Sequence, residues 1–300
     1  MLKLMAVKLR LRRMKEVGGA MPNAETKRLI RSQLWSPVQN TSLWLAWWLH
    51  GVISTDEVID SFHAVQGRHH RVLARAGGTV SGTASEADEA TGLIDLLKTV
   101  RAVTEGAPVG LEHRPLVNLV LAGMGDPPPL PAGEAASAVA AAGAGIAFAD
   151  KDPLVHHVAV PEIIDSSVIY WHWHTAEGRA PQLPTNGPGD ADAMLRQATD
   201  RAVAGIESSG VMVRWPTGSV GPRMLVGALS DAFGVPGLPV NVPSRAEKLM
   251  ARADYVAATI DVARDSAPQS SLDPFLLPLG RAVRIARMTA VDYAQRELLR

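Results

Sequence analysis

Apolar residues recur along this chain with helical spacing in its first and last thirds and with strand-like alternation between them. Thr41 or Ser42 can cap a first helix that runs to about His50, where Gly51 offers a left-handed stop. Ser54 with Glu57 makes a capping box for a second helix ending near Gly67, so the two predict a helical hairpin. Trp44, Trp47 and Trp48 stand at i, i+3 and i+4 and share one face of the first helix. That face reads either as core or interhelix seam, or as an aromatic surface for a ligand or partner.

A glycine- and serine-rich stretch at 77–85 reads as a linker, and residues 86–104 as an amphipathic helix with Leu93, Leu97 and Val100 on its inner side. The rhythm then changes. Residues 116–121 form a short, branched apolar run that ends in Gly123-Met124-Gly125-Asp126. A proline-rich segment, an alanine-rich helix over 133–142, a stop at Gly143 and a buried strand at 146–148 follow, which together suggest a βαβ unit. Residues 154–160 and 167–174 alternate as strands close enough to pair in a hairpin. Asp190 can cap a helix to about Glu207, 211–214 is a short strand candidate, and 222–233 reads as a helix. Ser244 and Glu247 form another capping box, whose helix carries Leu249, Ala253, Val256 and Ile260 on one face. A final helix over 279–298 places Val283, Ala286, Ala290 and Ala294 inward.

The fold class predicted is α/β, mixed and helix-rich: a small mixed sheet with a βαβ unit and a hairpin, flanked by N- and C-terminal helices. The organisation expected is a basic tail over 1–20, a helical region over 21–106, a mixed α/β core over 107–240, and C-terminal helices over 241–300 that pack on that core. Residues 1–15 carry Lys3, Lys8, Arg10, Arg12, Arg13 and Lys15 with no acidic side chain before Glu16, and Met21 offers an alternative start.

Composition narrows the function classes. A chain of 300 residues, 47% of them hydrophobic, can bury a substantial core. Thirty basic and thirty acidic side chains cancel, leaving no global field to attract nucleic acid or an anionic membrane. The absence of cysteine excludes disulfides, thiolate metal sites and a cysteine nucleophile, and with no export signal visible the expectation is a cytoplasmic protein. The most apolar runs, 43–53 and 135–149, fall short of the roughly 20 residues that span a bilayer.

The most distinctive local sequence is Tyr170-Trp171-His172-Trp173-His174. On a strand, Ile169, Trp171 and Trp173 face one way while Tyr170, His172 and His174 face the other. If Leu154, Val158 and Val160 lie beside the tryptophan face of a hairpin, His157 joins His172 and His174. Three imidazoles on one surface can hold zinc, iron or manganese, with Asp150, Asp152, Glu162 or Glu177 as a fourth ligand and Tyr170 to orient substrate. The plainer alternative is a wet strand face whose histidines bond water and backbone; His156 is expected in the core.

Gly123, Gly125 and Asp126 lie where a strand ends in an open α/β sheet, a place ligands favour. The dinucleotide fingerprint is missing there, as are a Walker lysine, a Gly-x-Ser-x-Gly elbow and a His-Glu-x-x-His pair. His69-His70 between Arg68 and Arg71 reads as a basic loop cluster, and Arg281, Arg284 and Arg287 as a stripe on the last helix that either grips an anion or forms a salt-bridged exposed face. The leading functional expectation is a protein that binds a small molecule or a protein partner. The alternatives are a metal-dependent hydrolase using His157, His172 and His174, and, last, nucleic-acid or anion binding through the arginines.

Overall fold

The computed structural model describes residue 34 and residues 36–66, 69–74, 91–164, 168–179, 186–211, 221–266 and 271–300. The expected basic tail, the linker at 77–85, residues 86–90 and the strand candidate beyond Val211 lie outside the described residues. Within them the elements are α1 (Val38–Leu49), α2 (Thr55–Gln66), β1 (His69–Ala74), α3 (Thr91–Thr104), β2 (Val117–Leu121), α4 (Glu134–Ala142), β3 (Ala144–Ala149), β4 (Val155–Ile163), β5 (Val168–Glu177), α5 (Pro188–Ser209), α6 (Pro222–Phe233), α7 (Ser244–Ser266) and α8 (Asp273–Leu298). No described helix is long and apolar enough to cross a membrane.

The five strands form one sheet in the order β1-β5-β4-β3-β2. β1 runs parallel to β5, and every other neighbouring pair is antiparallel, so the fold is the helix-rich, mixed α/β class expected. The strand–helix–strand run at 117–149 is present, but its strands are antiparallel neighbours. Gly143, at φ 80°, ends α4 and turns the chain straight back into β3 with no crossover. Gly145 lets the returning strand approach α4 closely, since a Cβ there would lie 2.9 Å from Val139 Cγ2.

Burial explains the layers. Ala135 and Val139 of α4 pack on Val120, Ala147, Val158 and Val160, closing one sheet face with small and branched side chains. On the opposite face Leu119, Ile146, Phe148, Ile169 and Trp171 are all buried, and the Phe62 ring of α2 lies 5.8 Å from that of Trp171. Gly92 sets α3 hard against β1, because a Cβ there would fall 1.6 Å from the His70 carbonyl oxygen. The outer edge of β2 is covered by α8. Gln295 donates to the Val117 carbonyl at 2.6 Å and accepts from the Val117 N–H at 3.3 Å, as a neighbouring strand would.

A buried ion pair ties the helices together. Arg287 of α8 is fully buried and donates to Asp254 Oδ1 of α7 through Nε at 3.0 Å and Nη2 at 2.6 Å. Its Nη1 donates to the Leu34 carbonyl, and Gln39 Nε2 of α1 donates to the same Asp254 oxygen at 3.3 Å. Burial pushes the Asp254 carboxyl up, against the pull of Arg287 and Gln39.

Four helix starts depart from expectation. α5 begins at Pro188, with Asp190 in its first turn and no side-chain cap. α1 begins at Val38, and Thr41 and Ser42, buried inside it, bond back to the carbonyls of Pro37 and Gln39 at 2.9 and 3.1 Å instead of capping. α7 begins with Ser244 already in its first turn, the Pro243 carbonyl accepting from Ala246 and Glu247. α8 begins at Asp273 and runs through Pro278, where the sequence signal favours a start. Burial of Leu276 and Leu279 offsets the hydrogen bond that proline removes. The Ser54–Glu57 capping box forms as expected, Ser54 N–H donating to Glu57 at 2.8 Å and Glu57 N–H to Ser54 Oγ at 3.2 Å.

Removing one half of the buried ion pair strands a charge in the interior. Arg287→Met is expected to lower stability by about 3–5 kcal/mol, and the double variant Arg287→Met/Asp254→Leu by clearly less; urea midpoints of the three proteins check both.

Candidate functional site

The register of the β4–β5 hairpin decides which side chains meet. Val158 lies opposite His174, Val160 opposite His172 and Glu162 opposite Tyr170, while His157 lies opposite Thr175 and Pro161 opposite Trp171. Directly opposite residues share a face. His157 is therefore on the tryptophan face, away from His172 and His174. This corrects the three-histidine metal site: the register is one residue away from the pairing that site requires, and one residue exchanges the faces. Among the described residues no group of three or more histidines and carboxylates is placed to hold a metal ion.

Each histidine has its own setting. His174 is buried beneath α4, with Nδ1 4.0 Å from Glu134 Oε1. His172 Nε2 is 2.6 Å from Glu162 Oε2, and His157 Nε2 is 3.1 Å from Asp150 Oδ2. His156 is buried, as expected. Its Nδ1 is 2.5 Å from Arg114 Nη1 and its Nε2 is 3.0 Å from the Gly178 carbonyl, so a neutral ring that accepts at Nδ1 and donates at Nε2 satisfies both. Arg114 Nη2 also donates to the carbonyls of Asp150, Asp152 and Val155, at 3.2, 3.1 and 2.8 Å, and so pins the β3–β4 turn.

The residues nominated elsewhere are engaged in structure. Trp47 donates its indole N–H to the Val240 carbonyl at 2.7 Å and Trp44 to that of Gly237 at 3.1 Å. Trp48 donates to Thr55 Oγ1 at 3.1 Å and lies beneath the Arg101 guanidinium. Trp47 and Trp48 are buried, which corrects the aromatic ligand surface to the seam that was its alternative. In the tight turn Gly123–Asp126, Asp126 accepts from Arg284 Nε at 2.8 Å and pairs with Arg281 at 3.3 Å. A Cβ on Gly123 would lie 2.4 Å from Arg284 Nη1, so the space beside the loop is filled by that guanidinium. Gly125, at φ 69°, serves the turn. The arginine stripe likewise dissolves. Arg287 and Arg284 are buried and paired, leaving Arg281 alone exposed among the three, because α8 is a central helix and its arginine spacing faces inward.

What stays accessible is part of the sheet face that α4 covers elsewhere. Arg71, Tyr170 and Glu162 form a row across β1, β5 and β4, with Leu73 and His172 beside it. Arg71, Leu73 and Glu162 are exposed, and Tyr170 and His172 half-buried. Tyr170 and His172 were candidates from the sequence. Arg71 was missed because 68–71 reads as a basic loop, whereas His69 and His70 lie in β1. The short apolar run Val72-Leu73-Ala74 was the signal available.

Burial and the Arg114 charge, with a smaller push from His157, lower the His156 pKa, and the Gly178 carbonyl only partly opposes them. The unfolded chain then takes up a proton at about pH 6.5, before the folded one does. Stability is thus full above about pH 6.5 and falls as the pH drops from there toward the folded pKa. His50, depressed by burial, acts in the same sense. Urea midpoints on either side of about pH 6.5 are expected to fall on the acid side, and His156→Gln to flatten that fall.

Residues 39–187 match the family model described as the Rv1486c-like protein, N-terminal domain, and residues 189–288 match that of its C-terminal domain. The accessible row and the three histidine–carboxylate pairs fall in the first segment, and Asp254 and Arg287 in the second. No curated protein and no solved structure matches the chain.

Proposed function

We propose that this chain, which belongs to the Rv1486c-like family, is a binding protein for a small dipolar molecule, held on the accessible face of β1, β5 and β4. The observation that supports this reading is the cross-strand row Arg71, Tyr170, Glu162, in which a cation, an aromatic ring and a carboxylate stand on three adjacent strands of one face. Strands lie about 4.7–4.9 Å apart, so the charged ends of the row are separated by about 10 Å at the backbone. A molecule with an anionic group at one end and a hydrogen-bond donor at the other fits that polarity, with its body against the Tyr170 ring and Leu73. His172, bonded to Glu162, holds the carboxylate in place.

A rigid sheet suits binding, since three strands present the row without ordering a loop. The metal-hydrolase alternative loses its ligand set to the register, and the arginine-stripe alternative loses Arg284 and Arg287 to the interior.

A panel of small amino- and hydroxy-carboxylates, screened by ligand-detected NMR against the wild type and an Arg71→Ala/Tyr170→Ala variant, tests the reading. Ligands that bind the wild type and lose at least about tenfold in affinity in the variant, a change of about 1.4 kcal/mol, support it. Absence of binding, or binding equal in both proteins, overturns it.

A further inference from the structure

The register that separates His157 from His172 and His174 places it opposite Thr175, on the other side of the hairpin from the row described above. Thr175 Oγ1 is 3.4 Å from His157 Nδ1, and His157 Nε2 is 3.1 Å from Asp150 Oδ2. A hydroxyl, an imidazole and a carboxylate thus follow one another in a hydrogen-bonded series drawn from β5, β4 and the end of β3. An ionised carboxylate only accepts, so His157 Nε2–H donates to Asp150, which leaves the Nδ1 lone pair directed at the hydroxyl.

The series is held from both ends. Asp150 Oδ1 accepts the Asp152 N–H at 2.8 Å, and Asp152 Oδ1 accepts the Leu154 N–H at 2.9 Å, which fixes the turn that carries the carboxylate. The Asp152 N–H, more than the adjacent imidazole, keeps the Asp150 carboxyl below the usual aspartate range. Trp173 stacks on Phe148 with ring centres 5.5 Å apart and lies 6.0 Å from the His157 ring, forming an apolar wall along the imidazole. The side chains of His157 and Asp150 are only 15% and 19% exposed, whereas Thr175 at the end of the series is exposed to an incoming molecule. A base within reach of a hydroxyl, itself oriented by a third group, is the arrangement that activates an alcohol as a nucleophile.

We propose that Asp150, His157 and Thr175 form an acyl-accepting site, at which Thr175 Oγ1 attacks the carbonyl carbon of an activated carboxylic ester. The Oγ1–carbon bond forms as the Thr175 proton passes to His157 Nδ1. The bond from the carbonyl carbon to the leaving oxygen then breaks, and the departing alkoxide or phenolate takes that proton, leaving a threonyl ester and a neutral His157. No redox partner is involved, and Asp150 remains ionised throughout, positioning the ring.

The full chain incubated with p-nitrophenyl acetate tests this, with p-nitrophenolate release followed by absorbance and the acetylated residue located by peptide mass mapping. Acetyl on Thr175 is expected in the wild type. Thr175→Ser should keep the label, Thr175→Val should lose it, and His157→Gln should slow labelling by about a hundredfold or more. Thermal unfolding of each variant, followed by circular dichroism, separates loss of chemistry from loss of fold; Thr175→Val keeps the side-chain shape without the hydroxyl, and Thr175→Ser keeps the hydroxyl without the methyl. Acetyl found only on lysines or the N-terminus, no acetylation, or labelling of Thr175 at an unchanged rate in a folded His157→Gln protein would each overturn the assignment.

Discussion

The buried pair of Arg287 and Asp254 constrains the rest of the helical architecture. It gathers α8, α7, the start of α1 and the Leu34 carbonyl around one ion pair, Leu34 meeting the guanidinium and Gln39 the carboxylate. A charge removed from water is tolerated only where partners meet it in good geometry, so each contributing element is held to a narrow position. Once α8 is fixed in this way, Gln295 and Met288 lie along the outer edge of β2, and the sheet gains a boundary that a free strand edge would lack. The sheet's position relative to the helices thus follows from a polar contact in the interior as much as from apolar burial.

From that frame the chemistry on the sheet follows by parity. The β4–β5 hairpin carries four histidines within nineteen residues, His156, His157, His172 and His174, and its register sends them to different surroundings. One is neutral between Arg114 and a carbonyl, one joins Asp150 and Thr175, one pairs with Glu162, and one lies under α4. A cluster that looks like a single site in the sequence becomes four separate environments. Polar groups gathered on a sheet do not act together unless the alternation brings them to one face.

Much of the fold was legible in the sequence because it is written in local signals. The Ser54–Glu57 box, Gly143 ending α4, the strand alternation at 154–160 and 167–174 and the Pro222 start of α6 each act within a few residues, and each is met in the structure. The starts of α1 and α8 were not legible. There, burial of neighbouring side chains outweighed a capping hydroxyl in one case and a proline in the other. β1 was hidden because its pairing partner, β5, lies about a hundred residues away. Of the candidate residues, Tyr170 and His172 are accessible together, while the tryptophans, the Gly123–Asp126 turn and two of the three arginines are committed to internal contacts.

By itself, then, the sequence determined the class of the fold, the order of most elements though not β1, and the exclusion of thiolate and disulfide chemistry, because periodicity, capping and composition are properties of short segments or of the chain as a whole. Only the tertiary structure decided which polar side chains meet. A shift of one residue in strand pairing exchanges the two faces of a sheet, and a residue spacing on a helix does not say whether its stripe faces water or the core. Those choices are made by long-range pairing and burial. That is why His157 stands with Asp150 and Thr175, and why Arg287 stands with Asp254 instead of facing solvent.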